Sequence, residues 1–200
     1  VDQAIERLGL DGNSLLVEIA SNDGYLLRHA LARGIPCVGI EPTQGTANVA
    51  ISHGVDTLVE FFGEHCAHAF VAARRRADLI VANNVLAHVP DINDFVAGFA
   101  ALLSERGSVT VEFPHLLELV SNHQFDTVYH EHFSYLSFHT ARRIFAAHGL
   151  RVWDVETLPT HGGSLRVWAC HADAPISETA AVATMLAREE QAGMLAMPYY

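Results

Sequence analysis

Between residues 128 and 135 the chain gathers groups that move protons: Val128-Tyr129-His130-Glu131-His132-Phe133-Ser134-Tyr135. A histidine of ordinary pKa accepts a proton at neutral pH, a neighbouring carboxylate can orient it, and a phenol hydrogen-bonds an oxyanion as it develops. Tyr129, Glu131 and His132 are therefore candidate catalytic groups. His88, in Asn84-Val85-Leu86-Ala87-His88-Val89-Pro90, is a fourth from a separate segment. The chain has 13 histidines, and His29, His53 and His148 read as surface or helix-end residues, so placement rather than residue type singles out the candidates. No metal is expected. In an extended segment His130 and His132 share a face while Glu131 points away, no third ligand stands nearby, and no H-E-x-x-H helix occurs. No serine sits in a nucleophile-elbow context either, so a Ser-His-Asp hydrolase has no support.

A second set of residues has the make-up of a binding crevice. Glu18-Ile19-Ala20-Ser21-Asn22-Asp23-Gly24 runs from an apolar stretch into small or turn-tolerant residues, which permit a tight bend and the close approach of a ligand to the next helix. Ala20 and Asn22 stand where a G-x-G-x-x-G dinucleotide fingerprint has glycines. Glu18 and Asp23 repel a pyrophosphate but tolerate a sulfonium cofactor bearing an ammonium group. Glu41 can accept both hydroxyls of a ribose. In Glu60-Phe61-Phe62, Phe61 is a candidate wall for adenine, with plain core packing as the alternative. Asn83 and Asn84 are consecutive amides, costly to bury unpaired, and so are expected to meet a ligand or to cap a turn.

These residues matter only if the elements bring them together. Strand-length apolar runs alternate with helical patterns, which predicts crossover units and a parallel sheet. Strands are expected over 15–20, 37–41, 56–59, 78–83 and 108–113. Helices are expected over 25–32, 47–53, 64–76 and 91–103, the last with Asp91 as N-cap and Phe95, Phe99, Leu102 and Leu103 on one face. In an open α/β sheet a ligand lies beyond the carboxyl ends of the strands, so the turns after the first, second and fourth strands should share one crevice, with the 128–135 segment on the same side. A helix over 140–148 and strands over 150–158 and 165–171 follow. Two strands so close in sequence pair as an antiparallel hairpin, because a parallel neighbour needs a crossover of about a dozen residues. This departs from the all-parallel dinucleotide fold. A last helix is expected over 177–193, and residues 1–13 carry no clear pattern.

The 200 residues carry a net charge of -11 and a single short arginine run, Arg74 to Arg76, so neither nucleic acid nor an anionic membrane is an expected partner. Three widely spaced cysteines form no CxxC pair, which argues against a disulfide framework and for a reducing, cytoplasmic setting. No stretch approaches the roughly 18 apolar residues of a membrane span. The start, Val1-Asp2-Gln3, reads as a cut within a longer polypeptide.

Taken with Glu112-Phe113-Pro114-His115 and Thr160-His161-Gly162-Gly163-Ser164, the motifs quoted above resemble the sugar-nucleotide C-methyltransferase family. The resemblance spans most of residues 14–170 and rests chiefly on the tyrosine-histidine-glutamate-histidine run. It implies a class I methyltransferase fold, α/β and Rossmann-like, with a seven-stranded, mostly parallel sheet ending in an antiparallel hairpin. Residues 1–173 would be the methyltransferase domain and 174–200 the start of a further C-terminal region. S-adenosylmethionine would be the cofactor, held by Glu18, Ala20, Asn22, Gly24, Glu41, Phe61, Asn83 and Asn84. The acceptor would be a nucleoside-diphosphate 4-keto-deoxyhexose methylated at C3, with His132 as base and Tyr129, Glu131 and His88 positioning the sugar and tuning the enolate. Members also carry an N-terminal cysteine-rich zinc module and a second α/β region, neither of which lies in these residues. A methyltransferase acting on oxygen or nitrogen and a non-catalytic cofactor-binding domain are the competing readings. The acidic turn and the hairpin disfavour a nucleotide-dependent dehydrogenase.

Overall fold

The apolar runs become strands covered on both faces, which is why they lack polar alternation. In the computed structural model, which describes residues 1–199, Leu16–Ile19 (β1), Cys37–Ile40 (β2), Asp56–Leu58 (β3), Ala77–Asn83 (β4), Leu103–Pro114 (β5), Leu150–Leu158 (β6) and Ser164–His171 (β7) form one sheet. The strand order is β3-β2-β1-β4-β5-β7-β6. Strands β1 to β5 pair in parallel, and β7 runs antiparallel to both β5 and β6. The expected hairpin is thus present, with its second strand wedged between β5 and β6.

Helices cover both faces, giving three layers. Glu64–Ala73 (α4), Ile92–Leu102 (α5), Phe138–Ala147 (α7) and Ala180–Gln191 (α8) bury Phe70, Phe95, Phe99, Phe145, Val182 and Met185 against one face of the sheet. Asp2–Leu8 (α1), Tyr25–Leu31 (α2) and Gln44–Ser52 (α3) cover the other, around Leu16, Leu27, Leu79, Val81 and Trp168. Among the described residues no helix is long and apolar enough to cross a membrane.

Asp91 caps α5, its carboxylate accepting from the amides of Asn93 and Asp94 at 3.0 Å each. Leu103 does not continue the apolar face of that helix: it opens β5 and pairs with Ala77, so β5 begins five residues earlier than the pattern suggests. Helix α7 starts at Phe138 rather than Thr140 because Ser137 is its N-cap, accepting from the Thr140 amide at 3.1 Å. A short helix unexpected from periodicity, Leu116–Ser121 (α6), follows β5. Helix α1, in the patternless start, is equally unexpected. It is held from far along the chain: the Arg7 guanidinium lies 4.7 Å from the ring centroid of Trp153 and 4.5 Å from that of Trp168, and pairs with Asp154 at 2.5 Å.

Candidate active site

The turn after β1 adopts a backbone that side chains resist. Ala20, Asn22 and Gly24 have φ values of 55°, 51° and 73°, in the left-handed region that costs a non-glycine residue about 1–2 kcal/mol. The surroundings fix that geometry. Ala20 donates its amide to Ile40 O at 2.8 Å, and Asn22 donates its own to Glu41 Oε2 at 3.2 Å. The other oxygen of the buried Glu41 accepts from the Thr43 amide at 2.9 Å. One carboxylate therefore ties the turn after β1 to the entry of α3. At Gly24 a Cβ would stand 2.9 Å from Val55 Cγ2, so the position needs glycine for space as well as for φ.

Beside this turn lies a mostly apolar cavity of about 180 Å³ lined by Ile19, Ala20, Ile40, Phe61, Val85 and His88, among others. The two phenylalanines divide their roles: Phe62 packs inward on Phe95, edge to face at 5.3 Å, while Phe61 stands at the rim with 78% of its surface exposed. Glu18 is 4% exposed, and its Oε2 has no hydrogen-bond partner among the described residues. Burial, reinforced by the charge of Asp23, pushes its carboxyl up to about 8.

Asn83 and Asn84 do not act as a pair. Asn83, at the end of β4, turns to the α1 face of the sheet and lines a second cavity with Glu112 and Arg166. Asn84 sits at φ 54°, its amide donating to Glu112 O at 2.8 Å, and its side chain faces the histidine cluster instead. Neither lines the cavity beside the β1 turn, and the side-chain oxygens of both are buried without a hydrogen-bond partner among the described residues.

The histidine cluster surrounds a pocket of about 130 Å³ lined by Asn84, His88, Thr127, Tyr129, His132 and His161, together with Asp126. His132 Nδ1 lies 2.7 Å from Thr127 O, which can only accept, so that nitrogen carries the hydrogen, and in the neutral ring Nε2 presents a lone pair. The Tyr129 hydroxyl lies 3.1 Å from this Nε2, and the two rings are 4.2 Å apart. His88 Nδ1 likewise meets a carbonyl, Glu131 O, at 3.1 Å. Burial, then the neighbouring His132, lowers the His88 pKa, and the ring stays uncharged at neutral pH. The Glu131 carboxylate is 65% exposed and orients neither ring; its backbone carbonyl does the orienting for His88, and Thr127 does it for His132. His88 also borders the cofactor-side cavity, so it joins the two spaces.

Asp126, Thr127 and His161 were not among the candidates. His161 lies in the Thr160-Ser164 loop with φ 53°, and its motif offered a signal; Asp126 and Thr127 offered none, because a carbonyl that orients a ring leaves no mark on residue type.

A sheet of this order with its seventh strand reversed, and a glycine-type turn opening on a cavity at the ends of β1 and β2, is the fold of the class I S-adenosylmethionine-dependent methyltransferases. The chain belongs to the methyltransferase domain family, whose model matches residues 1–155. A model described as the C-methyltransferase C-terminal domain matches residues 159–200. Among curated proteins, C-methyltransferase NovU of Streptomyces niveus is 41% identical over all 200 residues, and the chain spans about half, 48%, of its length. Among solved structures, an S-adenosylmethionine-dependent methyltransferase from Clostridium acetobutylicum superposes with a TM-score of 0.65 at 10% identity, covering 85% of this chain and 88% of that one. Magnesium protoporphyrin IX methyltransferase of Synechocystis with bound S-adenosylmethionine gives 0.61 at 14% identity, covering 85% and 77%.

Proposed function

We propose that this chain carries the methyl-transfer site of a C-methyltransferase that acts on a carbon beside a ketone, at C3 of a nucleoside-diphosphate 4-keto-deoxyhexose. The observation that carries the reading is the His132 Nε2 lone pair, held by Thr127 and Tyr129 in a pocket that meets the cofactor-side cavity at His88. The 41% identity to a C-methyltransferase supports it.

S-adenosylmethionine fits the crevice by the chemistry of its donors. The unpartnered Glu18 oxygen suits the ammonium group, Glu41 suits the ribose hydroxyls, and Phe61 with the apolar wall suits adenine. Ala20, Asn22 and Gly24 keep the turn bare enough for close approach. When bound, the cofactor supplies an electrophilic methyl group on a sulfonium. An uncharged His88 between the two spaces adds no repulsion toward that positive centre.

The chain's own residues do the rest. His132 Nε2 takes the proton from the carbon next to the ketone, and the electron pair of the broken C–H bond moves toward the ketone oxygen as an enolate. The Tyr129 hydroxyl, 3.1 Å from that nitrogen, is the donor placed to follow the charge onto oxygen. The enolate carbon would then take the methyl from the sulfonium as the carbon–sulfur bond breaks, its electron pair staying on sulfur in a neutral thioether. Three buried free cysteines suit a reducing, cytoplasmic setting.

The test is His132→Asn. S-adenosylhomocysteine should bind with unchanged affinity, while loss of deuterium from C3 of the labelled keto sugar and methyl transfer should both fall by about 10²- to 10⁴-fold. Methyl transfer without deuterium loss in the unaltered protein would assign the reaction to oxygen or nitrogen instead.

A further inference from the structure

Helix α8 carries a carboxylate with no obvious reason to be buried. Glu189 is 0% exposed, lies 50 or more residues from its partners, and accepts four hydrogen bonds. The donors are His115 Nε2 at 2.7 Å, the Phe138 amide at 2.6 Å, the His139 amide at 2.9 Å and His139 Nδ1 at 3.0 Å. Two of these are free amides at the start of α7, so the charge also sits at the favourable end of that helix. Burial opposes ionisation, but the hydrogen bonds from His115, from the backbone of His139 and Phe138, and from the His139 ring outweigh it and hold the carboxyl at about 2.

All three partners flank the proposed acceptor site. His115 ends the turn out of β5, donates its amide to Gly163 O at 3.0 Å in the loop beside His161, and forms a bridge with Leu136. Leu116 reinforces that bridge, donating to Leu136 O at 3.0 Å. Phe138 and His139 begin the helix that follows Tyr129–Tyr135 directly. The segment is pinned at its middle by Phe133, whose amide donates to Ala87 O at 2.8 Å, and at its exit by Leu136 and Glu189. Tyr135 stands between these points and His132 directly precedes the first, their rings edge to face at 5.9 Å.

From this geometry we infer that Glu189 is a positioning residue for methyl transfer: by clamping His115 to the start of α7, it sets the Tyr129–Tyr135 segment, and His132 with it, over the acceptor pocket. Its side chain touches neither pocket and takes no part in the chemistry. The inference rests on the reading of His132 and Tyr129 as the acceptor site. It couples α8, within the stretch similar to the C-methyltransferase C-terminal domain, to chemistry carried by the part that matches the methyltransferase domain.

The test uses Glu189→Gln, which keeps the shape but turns an amide N–H₂ toward donors, and Glu189→Asp, which keeps the charge on a shorter stem. Met185→Ala, in the same helix, loosens packing and leaves the carboxylate intact. In Glu189→Gln, amide hydrogen exchange over residues 129–139 should rise about tenfold while β1 and β4 stay as they were. Affinity for S-adenosylhomocysteine should stay within about twofold, and kcat/KM for the keto sugar should fall roughly 10- to 100-fold, as expected of a misplaced base. Glu189→Asp should recover part of both losses, and Met185→Ala should lower stability without singling out 129–139. Exchange that is unchanged in 129–139, or raised equally in β1 and β4, overturns the inference, as does a Met185→Ala pattern matching that of Glu189→Gln. Should the unaltered protein not act on the keto sugar, the functional reading fails by itself, and the exchange and binding measurements still decide the role of Glu189.

Discussion

Replacing Glu18 with glutamine removes an ionisable group that folding forces to stay protonated. In the folded chain its carboxyl titrates at about 8, against 4.5 for the free group. Between those values the folded state holds a proton that the unfolded chain has released, so stability falls as pH rises through this window. Below pH 4.5 both states are protonated and the group contributes nothing; above pH 8 both are ionised and the full penalty stands. At about 1.4 kcal/mol per pH unit the penalty reaches roughly 3 kcal/mol at pH 7 and approaches 5 at high pH. Glutamine is neutral throughout. The stability of Glu18→Gln relative to the unaltered protein should therefore grow by about 3–4 kcal/mol between pH 5 and pH 8, roughly 10 °C in Tm for a chain of this size. Urea denaturation of the ligand-free protein at the two pH values, followed by circular dichroism, measures this. Parallel pH profiles for the two proteins would refute the buried, protonated carboxyl. With the ammonium group beside Glu18 as proposed, binding of S-adenosylhomocysteine near pH 7 should release a proton, because the positive charge restores the carboxylate. Calorimetry in two buffers of different ionisation heat should show that release in the unaltered protein and none in the variant.

Two further changes probe the frame around the site. Ala20→Gly removes a left-handed strain of about 1–2 kcal/mol at the cost of about 0.5–1 kcal/mol in chain entropy, so the variant should be equal in stability or up to about 1.5 kcal/mol better. A clear loss on thermal denaturation would show that the Ala20 methyl contributes packing beyond its strain. Arg7→Ala should cost about 1–2 kcal/mol through the two indole contacts and the Asp154 pair, and should leave β6 and β7 hydrogen exchange close to unchanged while freeing α1.

Much of this molecule was legible from residue order. Runs such as Leu16–Ile19 and Cys37–Ile40 read as strands because both of their faces are covered, and the close spacing of β6 and β7 admitted only an antiparallel pair. Given a parallel sheet, the crevice had to lie where β1, β2 and β4 end, which puts the acidic turn, Glu41 and the histidine segment on one side. Such features are local, or follow from rules that every α/β sheet obeys.

What tertiary structure alone decided is the direction in which neighbouring side chains point and which distant atoms meet them. Asn83 and Asn84 are adjacent in the chain but face opposite layers, because one ends a strand and the other turns left-handed. Glu131 acts through its carbonyl while its carboxylate faces solvent, and Thr127 orients His132 by a carbonyl that any residue type would carry. Helix α1 forms in a patternless stretch because two tryptophans near residue 160 receive its arginine, and Glu189 finds His115 from 74 positions away. Periodicity records which face of an element is buried. The partner of a buried charge or of a ring nitrogen is chosen by packing among segments far apart in the chain, and no local pattern encodes it.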